Sequence, residues 1–73
     1  MIDKIISILE EILERNHGTI NPEDEFREYP EWDSLAYLSL IAKIDEDYHL
    51  IIPREDFQKI RTIEDLANYL ENK

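Results

Sequence analysis

Ser34 is the residue of this chain whose type and position offer the most distinctive chemistry. It lies within Trp32-Asp33-Ser34-Leu35, and the residues that follow have the apolar spacing of a helix. The first turn of a helix has free backbone N–H groups and the positive end of the macrodipole, which favour an anion. Ser34 could therefore carry a phosphate ester. Alternatively, Asp33 or Ser34 simply caps the helix, because both residue types are common N-caps.

The sequence offers no partners that would make Ser34 a catalytic nucleophile. His17 and His49 lie far from it in the chain, and there is neither a cysteine nor a glycine-rich phosphate loop nor a Gly-x-Ser-x-Gly turn. Carboxylates are plentiful, but a general acid needs a pocket that raises its pKa. The glycine and closing glutamate of an EF-hand loop are absent, which leaves only weak binding of divalent ions open. We expect a protein that is not an enzyme and has no dedicated metal site.

The composition indicates one acidic domain spanning residues 1–73. Eighteen Asp and Glu residues against eight Lys and Arg residues give a formal charge of −10. This charge excludes binding to a nucleic-acid backbone and favours partner proteins with basic patches. No apolar run is long enough for a membrane span or a signal segment, and the lack of cysteine fits a reducing compartment. We therefore expect a cytoplasmic monomer.

Apolar residues at helical spacing predict helices at both ends of the chain. The first runs from Ile2 to about Asn16, with Ile8 at the edge of its apolar stripe and Gly18 as its left-handed cap. The last is capped by Thr62, with an acid three residues later in a capping-box-like arrangement. The apolar stripes are Ile2, Ile5, Ile6, Leu9, Ile12 and Leu13 in the first helix, and Ile63, Leu66, Ala67 and Leu70 in the last.

A long loop and a short third helix complete the predicted architecture. Residues 19–33 have no sustained period and contain two prolines and six acids, so they are predicted to cross the surface, with Pro22 starting a single helical turn. The candidate anchors of this loop are Ile20, Phe26, Tyr29 and Trp32. The short helix begins after Pro53 and reaches Lys59 or Ile60, with Phe57 and Ile60 turned inward. The predicted fold is an all-α four-helix bundle of three longer helices and one short third helix, with a long loop between helices 1 and 2.

The second helix, predicted from Ser34 to Tyr48, has two different faces. The predicted core face is Tyr37, Leu40, Ile41, Ile44 and Tyr48, with Leu38 at its rim. A second row that the core face does not cover is Leu35, Ser39, Ala42 and Glu46. Leu35 is thus an apolar residue that should face solvent. It is either a stray surface leucine or part of a small docking face for a partner protein.

Taken together, these features resemble the acyl carrier protein family over nearly the whole chain. The matching features are the first amphipathic helix, the long loop, Asp33-Ser34-Leu35, the acidic Asp45–Tyr48, Ile52-Pro53 and the closing helix from Thr62. The resemblance implies that a 4′-phosphopantetheine arm from coenzyme A is attached to Ser34, beside Asp33, and carries an acyl or aminoacyl cargo as a thioester. It also implies that a phosphopantetheinyl transferase and acyl-loading and acyl-transfer enzymes dock on helix 2 and the preceding loop through basic patches. The expected partner-binding residues are Leu35, Ser39, Ala42, Glu46 and Trp32.

Three positions depart from the pattern that this resemblance implies for fatty-acid carriers. Those carriers often have a small residue before Asp-Ser-Leu and acids two and five positions after the serine, where this chain has Trp32, Ala36 and Ser39. The departures are compatible with a fatty-acid carrier or with a specialised carrier of a secondary-metabolite, aminoacyl or cell-envelope pathway. Trp32 shields the arm, contacts a partner or packs against the loop, and we favour packing. The alternative function is a small acidic helical module that binds a basic partner and is never modified.

Overall fold

The computed structural model describes residues 1–72, which form four α-helices and one short 3₁₀ helix. The elements are α1 (Ile2–Leu13), the 3₁₀ helix (Phe26–Glu28), α2 (Ser34–Tyr48), α3 (Arg54–Phe57) and α4 (Ile63–Glu71). The predicted all-α architecture, with its short third helix and long first loop, is confirmed. Helix α1 packs against both α2 and α4. None of the helices in residues 1–72 is long and apolar enough to cross a membrane.

Helix α1 ends earlier than predicted, because Glu14 and not Gly18 takes the left-handed cap. Glu14 has φ 55° and ψ 43°. The Arg15 N–H donates to the Glu10 carbonyl at 2.9 Å, and this is the 6→1 hydrogen bond of a Schellman motif. Gly18 also has a positive φ, 87°, but it lies in the following turn. There its N–H donates to the Glu10 carboxylate at 2.9 Å, and this hydrogen bond lowers the pKa of Glu10.

The buried face of α1 extends to Ile8, which the sequence placed at the edge of the apolar stripe. Ile8, expected at the edge, is only 5% exposed, whereas Ile2, Ile6 and Ile12 are half-buried. The reason is that α1 is covered by two helices, α2 and α4, so its buried face is broader than a single stripe. The largest fully buried side chains are Ile5, Leu9, Phe26, Leu40, Ile44, Ile63 and Leu66.

The core face of α2 is rotated around the helix relative to the predicted face, so that Ala36 is buried and Tyr37 is not. Ala36 is 5% exposed and lies in the same buried row as Leu40 and Ile44. The predicted core residues Tyr37, Ile41 and Tyr48 are half-buried instead. Leu38, predicted at the rim, is 61% exposed. The small Ala36 side chain fits inside the core, while the two tyrosines cover its edge and keep their polar ends near solvent.

The closing half of the chain follows the prediction, except that α3 is shorter. After Phe57 the chain continues in tight turns, in which the Lys59 and Ile60 N–H groups bond to carbonyls three residues earlier. Phe57 and Ile60 are buried as predicted. The capping box of α4 is complete, because the Asp65 N–H donates to Thr62 Oγ1 at 3.0 Å and the Thr62 N–H donates to the Asp65 carboxylate at 3.2 Å. All four predicted stripe residues of α4 are buried.

The loop between α1 and α2 is fastened to the start of α4. The Ile63 N–H donates to the Asp24 carbonyl at 3.3 Å, and the Glu64 N–H donates to the Pro22 carbonyl at 2.9 Å. The predicted anchors Ile20 and Phe26 are buried, and Tyr29 and Trp32 are half-buried. A single hydrogen-bonded turn does begin at Pro22, since the Asp24 N–H donates to the Asn21 carbonyl at 3.0 Å and the Asn21 N–H donates to the Asp24 carboxylate. It is not helical, and the helical segment of this loop is the 3₁₀ helix Phe26–Glu28.

A second set of contacts holds the last third of this loop against the end of α1. The Arg15 guanidinium lies 4.1 Å from the centre of the Tyr29 ring and 3.0 Å from the Glu31 carboxylate. The Tyr29 hydroxyl donates to Asp24 Oδ2 at 2.6 Å. These contacts fix the segment that leads into Trp32 and α2.

Candidate functional site

Asp33, and not Ser34, provides the side-chain cap of α2. Its backbone is extended, and its Oδ1 accepts the Ala36 N–H at 2.8 Å. Ser34 is the first residue of the helix and is exposed, and within residues 1–72 its hydroxyl makes no hydrogen bond. The two roles that the sequence left open for this pair are therefore divided. Asp33 caps the helix, and the Ser34 hydroxyl faces solvent in its first turn.

Aromatic side chains from the loop, α2 and α3 pack together beside Ser34. The Trp32 ring stacks on Phe57 with centroids 6.2 Å apart and planes 12° apart, and it meets Phe26 edge-on at 5.2 Å. Tyr37 also meets Phe57 edge-on, with ring centroids 5.0 Å apart. The expectation that Trp32 packs against its own chain agrees with this geometry. Contact of Trp32 with a partner stays a prediction.

Ser34 lines an open cleft of about 420 Å³ between the loop, α2 and α3. Two arginines flank the cleft. The guanidinium of Arg27 lies 5.6 Å from the Phe57 ring, and that of Arg54 lies 5.8 Å from the Tyr37 ring. The residues that line the cleft are Arg27, Trp32, Asp33, Ser34, Tyr37, Arg54, Phe57 and Gln58.

The arginines were missing from the site that the sequence predicted. Arg27 had a visible signal, since it is the one basic residue in the otherwise acidic segment 19–33. Arg54 had none, because it follows Ser34 by 20 residues and only the packing of α3 against the loop brings it to the cleft.

The second row of α2 faces solvent largely as predicted. Leu35 is 72% exposed, and Ala42 and Glu46 are also exposed, while Ser39 is half-buried. Leu38 lies three residues after Leu35 and is exposed as well, so the apolar part of this surface is larger than the sequence indicated.

The groups with shifted pKa values lie away from Ser34. Burial and the hydrogen bond to Asp24 raise the pKa of Tyr29, and the same hydrogen bond lowers the pKa of Asp24. A hydrogen bond to Asp56 raises the pKa of Tyr69. Among residues 1–72, no group of three or more acids and histidines is placed to hold a metal ion. The geometry at Ser34 thus offers an accessible hydroxyl beside cationic and aromatic side chains, with none of these shifted groups next to it.

Comparison with known proteins places the whole chain in one family. The sequence model described as a phosphopantetheine attachment site matches residues 3–70. The chain is 34% identical over 70 residues to an acyl carrier protein of Bdellovibrio bacteriovorus. The aligned residues cover 96% of this chain and 90% of the relative. This chain belongs to the acyl carrier protein family.

Two further relatives agree with this membership. An acyl carrier protein of Rubrobacter xylanophilus is 34% identical over 70 residues, covering 96% of this chain and 86% of the relative. One of Thermosynechococcus vestitus is 29% identical over 73 residues, covering 100% of this chain and 90% of the relative. Members of the family are carriers rather than catalysts, and they interact with a phosphopantetheinyl transferase and with acyl-handling enzymes.

Membership implies a covalently attached 4′-phosphopantetheine, and the residues at the start of α2 fit such a group. Attachment as a phosphate ester requires an exposed hydroxyl that does not serve the helix cap, and Ser34 meets both conditions. The adjacent cleft adds two cationic side chains and a wall of rings, which suit a group that has both an anionic and an apolar part.

Proposed function

We propose that Ser34 is the attachment point of 4′-phosphopantetheine and that the chain shuttles an acyl or aminoacyl cargo between partner enzymes. The observation that carries this proposal is that Asp33 takes the helix cap, which leaves the Ser34 hydroxyl exposed and without a hydrogen bond inside residues 1–72. Attachment from coenzyme A would break the pyrophosphate P–O bond of coenzyme A and form a P–O bond to Oγ of Ser34. Adenosine 3′,5′-bisphosphate would be released, and the proton of the Ser34 hydroxyl would pass to solvent.

When bound, the group supplies a thiol that holds the cargo as a thioester. The chain itself has no cysteine, so no side-chain thiol of its own competes for the cargo. This composition also supports a cytoplasmic location, where thiols stay reduced.

We propose that the exposed second row of α2 is the docking surface for the transferase and the acyl-handling enzymes. Its residues are Leu35, Ser39, Ala42 and Glu46. Leu35 offers the protruding apolar contact, since most of its side chain is exposed beside Ser34. A charge of −10 favours partners with basic patches and fast, salt-sensitive encounters of a monomeric carrier. Trp32 borders this surface as one wall of the cleft, with its half-buried ring stacked on Phe57, and its contact with a partner stays a prediction.

The start of α2 supports a specialised pathway over the general fatty-acid one. The two positions at which the fatty-acid carriers that it resembles have acids are here Ala36, which is buried, and Ser39, which is half-buried. Neither position adds a negative charge, and Lys43 lies one turn beyond Ser39. Partners that read an acidic first half of this helix would therefore bind this chain weakly.

Mass spectrometry tests the attachment directly. Incubation with coenzyme A and a broad-range phosphopantetheinyl transferase should raise the mass of the chain by one phosphopantetheine group. Ser34→Ala should abolish the gain, whereas Ser7→Ala, which removes an exposed hydroxyl on α1, should leave it intact. A lack of mass gain with several transferases would favour the unmodified acidic module instead.

A further inference from the structure

Two of the cations of this acidic chain are left without an acidic partner at the Ser34 cleft. Within residues 1–72, Lys4, Arg15 and Lys43 each lie within 4.0 Å of a carboxylate. In the same part of the chain, Arg27, Arg54, Lys59 and Arg61 make no ion pair, and of these four only Arg27 and Arg54 line the Ser34 cleft. Both guanidinium groups are therefore available to an anion at the cleft that Ser34 also lines.

The contacts of the two arginines hold them at the cleft without neutralising them. Nη2 of Arg27 donates to the Gln58 carbonyl at 3.2 Å, and its guanidinium lies near the Phe57 ring. The guanidinium of Arg54 lies near the Tyr37 ring. A guanidinium has five N–H donors, so each retains donors for a phosphate oxygen, which it can bind in a two-point geometry.

Attachment of a phosphodiester to Ser34 would create an electrostatic demand for such cations. The new negative charge would lie next to the Asp33 carboxylate, in a chain whose formal charge is already −10. Like charges at neighbouring positions raise the free energy of the modified protein. Two nearby guanidinium groups would offset this repulsion.

The rings of the cleft pack against one another and form one wall of it. Phe57 is 4% exposed, and both Trp32 and Tyr37 pack directly against it. The cleft, about 420 Å³, is open to solvent, so the rings form one wall of it and do not enclose a ligand. An apolar segment that follows a phosphate would therefore find a preformed surface beside the two cations.

We infer that Arg27 and Arg54 bind the phosphodiester of the group on Ser34, and that the rings of Trp32 and Tyr37 hold the dimethyl segment of pantetheine next to it. This assignment rests on the proposed attachment at Ser34. The pantetheine group is then kept against its own carrier until a partner enzyme draws it out. High salt releases it, since part of the attraction is between partly exposed charges.

Fluorescence and NMR of the loaded protein test this assignment without any partner enzyme. Trp32 is the one tryptophan of the chain, so its emission should change when Ser34 is loaded. NMR should show contacts between the pantetheine methyl groups and the rings of Trp32 and Tyr37. Raising the salt concentration on the wild-type protein should weaken both signals.

Charge-removing variants separate the two arginines from a general effect of net charge. Arg27→Gln and Arg54→Gln should each weaken the methyl-to-ring contacts by about two- to fivefold, and the double variant should lose them. The matched control is Lys59→Gln, which removes one positive charge from an exposed residue outside the cleft and should behave as wild type. Mass spectrometry of each variant should still show one group on Ser34.

The outcomes distinguish this assignment from the proposed function. A full mass gain with unchanged Trp32 emission and no methyl-to-ring contacts would overturn the assignment and leave the attachment intact. Equal signals in the wild type and the double variant would do the same. A lack of mass gain would overturn both. Inorganic phosphate added to the unmodified protein should leave Trp32 emission unchanged at the same concentration, because the attached group gains a high effective concentration from its tether. An equal response would show a general anion site instead.

Discussion

The Asp33 carboxylate accepts the Ala36 N–H at 2.8 Å, and this bond caps α2 immediately before Ser34. The cap satisfies one of the free N–H groups of the first turn without using the Ser34 hydroxyl. Asp33 therefore has a structural role that can be measured separately from any role in attachment.

Asp33→Ala should destabilise the protein by about 1 kcal/mol, because the Ala36 N–H loses its acceptor. For a chain of this length the midpoint of thermal unfolding should fall by about 4–8 °C per kcal/mol. Asp33→Asn keeps an acceptor oxygen and should stay close to wild type. Urea unfolding followed by circular dichroism measures the free energy of unfolding of both variants, and heating measures their thermal midpoints. Equal stability of the Ala and Asn variants would show that another group, such as the Ser34 hydroxyl, takes over the cap.

The hydrogen bond from Tyr29 to Asp24 should make part of the stability depend on pH. The Tyr29 hydroxyl is the largest cause of the lowered pKa of Asp24, followed by the Asn21 N–H. A carboxyl whose pKa is lowered by folding stabilises the protein above its unfolded pKa, which is about 3.9 for Asp, and this contribution is lost as the pH falls through the folded value. Acid should therefore weaken the attachment of the loop that leads into α2.

Tyr29→Phe tests this dependence, since it removes the hydroxyl and keeps the ring over which Arg15 lies. The wild type should be more stable than the variant near neutral pH, and the difference should shrink as the pH falls below about 4. Unfolding in urea at a series of pH values gives the difference. A constant difference down to strongly acidic pH would contradict the proposed coupling. Asp24→Asn, which cannot ionise, should lack this pH dependence.

The left-handed cap of α1 predicts a stabilising substitution at Glu14. A non-glycine residue with φ 55° is strained, and glycine adopts this conformation without the strain. The left-handed conformation costs a non-glycine residue about 1–2 kcal/mol, and the greater freedom of glycine in the unfolded chain offsets about 0.5–1 kcal/mol of this gain, so Glu14→Gly should stabilise the protein by up to about 1 kcal/mol. Gly18→Ala should destabilise it through its positive φ alone, because an added Cβ would meet no atom within 4 Å. Chemical unfolding of both variants checks the prediction, and a destabilised Glu14→Gly would contradict it.

The sequence predicts the end of a helix well only where the contacts that fix that end lie between residues close together in the chain. The capping box of α4 joins Thr62 and Asp65, which are three residues apart, so the sequence alone indicates it. The end of α1 was placed too late, because the glycine preference of caps pointed to Gly18. The chain instead leaves the helix at Glu14, directly after the buried Leu13, and the Gly18 N–H then returns to the Glu10 carboxylate.

The start of α2 was predictable, but the surroundings of Ser34 were not. Helical periodicity placed Leu35 in solvent correctly, since it depends only on the spacing within one helix. Ala36 was missed as a core residue because a small side chain adds little to an apolar pattern. The cleft arginines come from the loop and α3, and they line one cleft because Phe57 of α3 packs against both Trp32 of the loop and Tyr37 of α2. Contacts of this kind depend on tertiary packing and leave no periodic signal.

Leu35 gives the most direct test of the proposed docking surface. Its side chain is 72% exposed, so Leu35→Ala should change the midpoint of thermal unfolding by less than about 3 °C. If the side chain inserts into the transferase, the same substitution should lower kcat/KM for loading by about five- to thirtyfold, the effect of losing an interface contact of 1–2 kcal/mol.

Leu38→Ala and Leu40→Ala provide the matched controls for this test. Leu38 is exposed three residues further along α2 and reports whether the docking surface extends beyond the predicted row. Leu40 is fully buried, so Leu40→Ala should cost about 2–5 kcal/mol of stability and shows what a core substitution does to the same helix. A large loss of stability in Leu35→Ala would place that side chain in the core. If a stable Leu35→Ala variant shows unchanged loading and cargo transfer, Leu35 is an ordinary exposed leucine that takes no part in docking. Docking would then have to depend on the charges of α2.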